Sequence, residues 1–462
     1  MFTDTYCRRR FMQLGFGSLG GLALNQLSAE GKPQHHPPKA RSVILCYMSG
    51  GVSHVDSFDP KPLLKEMHGK DMPGEVLRTQ FDNNGKIMQS PWQANKYGQS
   101  GLEMTDLFPH IAGCADDIAL VRSMTANFSE HAQGNFYMHT GFPFLGSPSA
   151  GAWVNYGLGS ANQNLPGYVV LNNKTSIPHG GKSIFGSGFL PATTGASFFN
   201  LDQEEVVSRV KPSRPLKEQR ASLEFLKQLD GAFAERSAAE VDVQSAIKNY
   251  ETAFRMQSAV PELMDLDNEP AYLKRAYGFE HEDPLVAGYG HQCMVARRLV
   301  EQGVRFVELS CSNFKGDGQR PNPWDQHGNL PHGHREMARQ VDQPIGALIN
   351  DLKQRGLLES TLIIFTGEFG RTPFSQGSNG RDHNPYGFSL WMAGGGIKGG
   401  SVHGATDDLG YHAIEAKATV YDLWATVLHQ LGMDHEKLTY RYGGRDMRLT
   451  DVHGNVMTKI IT

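Results

Sequence analysis

Four short segments gather residues able to bind a metal among glycines and prolines: Ser49-Gly-Gly-Val-Ser-His54-Val-Asp56, Trp324-Asp325-Gln326-His327-Gly328, Thr366-Gly367-Glu368-Phe369-Gly370-Arg371 and Gly380-Arg381-Asp382-His383-Asn384-Pro385. A histidine and an aspartate two residues apart in a loop can both reach one cation, and an imidazole with a carboxylate suits zinc, manganese or iron. His54 with Asp56 and Asp325 with His327 have that spacing. The alternative for the first pair is an Asx turn closed by Asp59-Pro60, with His54 on the surface. Glu368 follows a buried-strand pattern directly. Arg371, three residues on, is suited either to hold an anionic oxygen or to pair with Glu368. His383 reads as a further ligand, in a segment whose Gly, Asn and Pro suggest an exposed loop. His332 and His334 read as bystanders.

The elements that must carry these segments are legible as short apolar runs stopped by glycines, the pattern of fully buried parallel strands. Such runs occupy 41–48, 118–123, 168–171, 304–309, 361–366 and 388–393, and helical spacing occupies 282–303, 334–355 and 417–431 between and after them. Strands alternating with helices predict an α/β fold, a doubly wound and mostly parallel sheet flanked by helices, whose sites gather at the strand ends. Residues 202–257 are charged and helix-favouring, which predicts a helical insertion or cap on a domain spanning 41–462.

The chain has 462 residues, 39% of them hydrophobic, with 44 basic and 48 acidic side chains for a net charge of −4. That length and apolar content exclude a disordered or fibrous chain, and the balanced charge argues against a nucleic-acid partner. Nineteen histidines and 52 glycines lean toward a metalloprotein with many tight turns. Cys46, Cys114, Cys293 and Cys311 show no CxxC spacing, so they read as core thiols.

At the start, Cys7-Arg8-Arg9-Arg10-Phe11 precedes an uncharged, glycine-interrupted run from Leu14 to Leu27. This is the layout of a twin-arginine signal over 1–30, followed by a proline-rich linker over 31–40. It names the twin-arginine export machinery as a partner and a periplasmic or secreted location. The apolar run is too short for a permanent membrane span, which needs about 20 residues.

The run Thr361-Leu-Ile-Ile-Phe-Thr-Gly-Glu-Phe-Gly370 resembles the sulfatase and alkaline phosphatase signature, in which a strand ends in a metal-binding Asp-His pair. GGVSHVDSFDPKP, ARRLVEQGVRFVEL, WDQHGN, TGEFGRTP, GRDHNP and LTYRYGGRDMRLTDVHG together resemble domain of unknown function family 1501, a twin-arginine-exported family of the alkaline phosphatase-like superfamily. The resemblance spans nearly the whole chain and implies an alkaline phosphatase-like fold. It places Glu368 at the aspartate of the pair, Phe369 at its histidine, Asp325 and His327 at the mid-chain ligands and His383 at the late histidine. Phe369 cannot bind a metal, and Ser49 stands where an aspartate is usual. Near the position of the nucleophile the chain has His131, with Ser129 and Thr125 as nearby hydroxyls, and the Cys/Ser-x-Pro-x-Arg signature of type I sulfatases does not occur.

The resulting expectation is an exported hydrolase of phosphate or sulfate esters. It would use a divalent metal (zinc, manganese or calcium) held by some of His54, Asp56, Asp325, His327, Glu368 and His383, with His131, Ser129 and Arg371 as catalytic residues. Its substrate would be a small anionic ester or a sulfated or phosphorylated glycan. The alternative is a non-catalytic binding or scaffold protein on the same fold.

Overall fold

The apolar run after Arg41 forms β1, Ser42–Tyr47, buried along its whole length. Its residues divide between two cores: Ile44, Cys46 and Met48 belong to one, and Val43, Leu45 and Tyr47 to the other. Both faces of the strand are therefore covered, as expected for a central parallel strand. The computed structural model describes residues 32–172, 177–208, 210–212, 214–234, 240–318 and 320–462. The segment read as a signal, 1–30, lies outside the described residues.

The remaining strands of this sheet are β2 (Ile118–Thr125), β3 (Tyr168–Asn172), β4 (Ser197–Asn200), β5 (Phe306–Ser310) and β6 (Thr361–Thr366). After β6 come a hairpin of β7 (Gly370–Gln376) and β8 (Gly380–Asn384), then β9 (Phe388–Ala393), β10 (Ser401–His403) and β11 (Ala418–Thr419). The nine-stranded sheet runs β10-β2-β9-β6-β1-β5-β3-β4, with β11 also on β2. β1 pairs in parallel with β5 and β6. Among the described strands of this sheet, only β9 runs against its neighbours, β2 and β6. The fold is thus the mostly parallel α/β sheet flanked by helices that the sequence predicts.

Helices α1 (His131–Thr140), α2 (Ala150–Leu158) and α7 (Val420–Gln430) cover one face, through Phe136, Met138, Trp153, Trp424 and Val427. On the other face lie α5 (Pro284–Glu301) and α6 (Leu330–Gln354), through Cys293, Leu299, Val341, Ile345 and Leu348. Their ends follow local chemistry. Asp283 caps α5 ahead of Pro284, and Thr419 with Asp422 forms a capping box on α7. The charged stretch after residue 202 supplies α3 (Leu216–Ala234) and α4 (Glu240–Met264), which pack on each other and are tied by Lys227 and Glu251.

Two expectations change. The proline-rich residues before β1 lie along the body: the backbone N–H of Lys32 donates to the Gly157 carbonyl, that of His35 to the Gly432 carbonyl and that of Lys39 to the Gln430 carbonyl. The segment around His383 is not an exposed loop. It is the buried strand β8, paired with β7, which in turn pairs with Asn84–Ile87. Its polar residues tolerate burial because each finds a partner, as described next.

Candidate metal centre

Three histidine rings converge on one carboxylate. Asp325 follows β5 on a long loop and His327 stands two residues later. His383 is on β8, and His131 is the first residue of α1. His131 Nε2 lies 3.2 Å from Asp325 Oδ2, while His327 Nε2 and His383 Nε2 lie 2.8 and 3.2 Å from Oδ1. One ligand atom from each of these four residues falls within 4.8 Å of all the others.

Close approach of backbone segments makes this convergence possible. Gly50, at φ +112°, lets the loop after β1 lie against the Asp325 loop; a Cβ there would meet Asp325 N at 2.5 Å. At Gly380 a Cβ would stand 1.8 Å from the carbonyl oxygen of His327. Only glycine permits either arrangement.

The other nitrogen of each ring is held. Nδ1 of His131 is 2.6 Å from Glu368 Oε1, Nδ1 of His383 is 2.5 Å from the Ser129 carbonyl oxygen, and Nδ1 of His327 meets Gln376 Oε1. Carboxylate, carbonyl and amide oxygens only accept, so each Nδ1 donates its proton; Nε2 then carries a second proton, as in a charged His131 ring, or in a neutral ring turns a lone pair toward Asp325. Histidines that bind metals are oriented in this way, through a proton donated from the far nitrogen. Lone pairs facing a carboxylate repel it unless positive charge lies between them. Buried Nε2 of His131 has no hydrogen-bond partner among the described residues, although it stands within ion-pair distance of Asp325.

Charge in the site points the same way. Burial works against ionisation of Asp325, but Arg371 and the three histidines hold its carboxyl far below the usual carboxylate range. Burial lowers His131, yet Asp325 and Glu368 outweigh it and push the ring up to about 9. Two carboxylates thus call for a positive charge at the position of His131. His383 is held well below the ordinary histidine value by burial and by Arg371.

Glu368, expected as a ligand, stands one layer further back. It binds His131 and accepts the backbone N–H of Gly50 at 2.9 and 3.0 Å. Arg371, expected to face an anionic substrate, is fully buried. It binds Asp325 at 2.7 Å and donates to the carbonyls of Gly50, Gly51 and Arg381. Its guanidinium thus ties Asp325 to the loop after β1 and to β8.

His54 and Asp56 are not brought to the cluster. Asp56 is fully buried in a bidentate pair with Arg381, at 2.7 and 3.0 Å, and accepts from Ser53 Oγ at 2.6 Å. Nε2 of His54 donates to the Gly410 carbonyl at 2.7 Å. Of the two expected hydroxyls, Ser129 faces the cluster through its carbonyl, and Thr125 Oγ1 donates to the Ala418 carbonyl at 3.2 Å. Phe369 is buried, with its ring stacked 4.4 Å from that of His383 and tilted 5.2 Å from that of His131. It forms an apolar wall where the resemblance has a histidine.

Sequence reasoning assigns no role to Gln376, to the Ser129 carbonyl or to Tyr47. Tyr47 Oη donates to Asn135 Oδ1 at 2.6 Å beside Glu368. These groups lie far apart in the chain and carry no local pattern of their own.

Sheet and cluster together define an α/β protein with a three-histidine, one-carboxylate site at the strand ends. The chain belongs to the family described as "Protein of unknown function (DUF1501)", whose model matches residues 40–461. No curated protein matches it in sequence. Among solved structures it is similar to the PsFucS1 sulfatase from Pseudoalteromonas sp., at 15% identity and a TM-score of 0.38, over 87% of this chain and 69% of that one. It is also similar to the lipoteichoic acid synthase LtaP from Listeria monocytogenes (9% identity, TM-score 0.38, 93% and 78% of the two chains). A third likeness is to the phosphonate monoester hydrolase SpPMH from Silicibacter pomeroyi (14%, 0.32, 70% and 68%). No helix among the described residues is long and apolar enough to cross a membrane.

Proposed function

We propose that the protein is an exported, metal-dependent hydrolase of phosphate or sulfate esters, with His131, Asp325, His327 and His383 as the metal ligands. The observation that carries this reading is the common orientation of the three rings: every Nδ1 is tied to an oxygen acceptor and every Nε2 is aimed at Asp325. Three imidazoles and one carboxylate fit zinc or manganese, whereas calcium takes six to eight oxygens and drops out of the expected set. When bound, the metal supplies Lewis-acid polarisation of the ester oxygen and lowers the pKa of water.

The chain's own residues prepare that chemistry. Glu368 and the Ser129 carbonyl fix the tautomers of His131 and His383, Arg371 orients Asp325, and the Phe369 ring excludes water from one side. Because His131 belongs to the cluster and starts the helix, no hydroxyl stands at that helix position, and water is the nucleophile in this reading. The export route rests on Arg8 and Arg9 with the uncharged run after them.

Metal-loaded protein should turn over an aryl phosphate or aryl sulfate and lose that activity in His383→Ala and Asp325→Asn. Stoichiometric metal binding without turnover of either ester class would support the scaffold alternative instead.

A further inference from the structure

We propose that Phe81 determines specificity at this site, selecting anionic esters whose ester oxygen carries a ring with an apolar face, aryl or sugar. The inference rests on the hydrolase reading above and names the substrate class for the same centre.

Phe81 is 57% exposed. Its ring meets that of His327 edge to face, with centroids 4.9 Å apart and planes at 88°, and lies 6.3 Å from that of His383. The cluster is partly exposed at the residue this ring touches: the His383 side chain is 1% exposed, but those of Asp325 and His327 are 23% and 25% exposed. His179, also exposed, stands beside the cluster with its ring 5.8 Å from that of His131. An exposed phenyl ring thus flanks His327, and an exposed imidazole flanks His131.

The exposed ring is built into place. Phe81 N–H donates to Asp382 Oδ2 at 3.4 Å, beside His383. Asp82, at φ 50°, donates its N–H to Thr79 Oγ1 at 3.1 Å, and the buried Thr79 hydroxyl donates to Asn84 Oδ1 at 3.2 Å. Tyr386 Oη and Tyr411 Oη donate to the carbonyls of Arg78 and Leu77 at 2.9 and 3.3 Å. A loop secured this thoroughly could have turned its phenylalanine inward; leaving the ring in water forgoes the free energy of burying it. A fixed, solvent-facing aromatic ring beside a polar centre suits stacking against a ring-bearing ligand, since aromatic faces pair with apolar faces and edges.

The test uses full-length, metal-loaded protein and two non-hydrolysable probes, phenylphosphonate and methylphosphonate, with binding measured by calorimetry. Wild type should favour the phenyl probe by about tenfold. Phe81→Ala should cut that preference, read as the ratio of the two affinities in one protein, to about twofold, and Phe81→Trp should preserve it. An unchanged phenyl-to-methyl ratio in Phe81→Ala would overturn the inference while leaving the hydrolase reading in place. Failure of wild type to bind either probe would overturn both.

Discussion

Nδ1 of His131 lies 2.6 Å from Oε1 of Glu368, and that carboxylate also accepts the backbone N–H of Gly50. The bond fixes the ring from behind and leaves Nε2 for the cluster. Partners of this kind typically contribute 10- to 100-fold in metal affinity. Glu368→Ala should therefore weaken zinc binding by about that factor, and Glu368→Gln by less, because an amide oxygen still accepts. Competition with a chelating indicator reads this out, and equal affinity in all three proteins would contradict the assignment.

The approach of Gly380 to the His327 carbonyl makes a second prediction. A methyl group at Gly380 cannot fit without moving the loop that carries Asp325 and His327. Gly380→Ala should cost about 1–3 kcal/mol of stability, as overpacking does, and should lower metal occupancy as well. Urea unfolding with chelator present separates the first effect from the second.

Asp56 and Arg381 form a buried ion pair away from the cluster. Removing one partner strands the other charge, so Arg381→Met should destabilise the protein by about 3–5 kcal/mol. The double variant Asp56→Leu/Arg381→Met should recover much of that loss and bind metal as wild type does. Loss of metal binding in a folded double variant would restore Asp56 as a ligand.

His334 is buried and accepts the Ser53 N–H at 3.0 Å, with Asp56, Arg371 and Arg381 as its charged neighbours. Burial lowers its pKa from 6.5 to about 3, and Arg371 and Arg381 add to that effect against Asp56. A histidine depressed in the folded state contributes stability above its unfolded value and loses it as pH falls toward the folded one. The window therefore runs from about 6.5 down to about 3. Unfolding free energy should fall by about 2 kcal/mol between roughly pH 7 and pH 5 on this account, and His334→Gln should flatten that part of the profile.

Strands such as β6 were legible because a buried parallel strand must be apolar on both faces and must stop where the chain turns. Asp325, His327 and His383 stood out by residue type, but type and spacing do not say which way a side chain points. His54 and Asp56 have the same two-residue spacing as Asp325 and His327, yet Asp56 is claimed by Arg381, 325 residues away. The segment of β8 reads as a loop because Gly380, Asn384 and Pro385 are turn-forming residues. Its burial depends on ion pairs and hydrogen bonds to distant segments. Phe81 gave no signal, since a lone phenylalanine among turn residues has no periodicity.

Elemental analysis of the full chain, loaded with zinc and then dialysed, compared with His383→Ala and Asp325→Asn treated alike, tests the central claim most directly. The account predicts about one tightly held ion per wild-type chain and nearly none in either folded variant. Wild-type protein that retains no metal, or variants that retain as much as wild type, would contradict it.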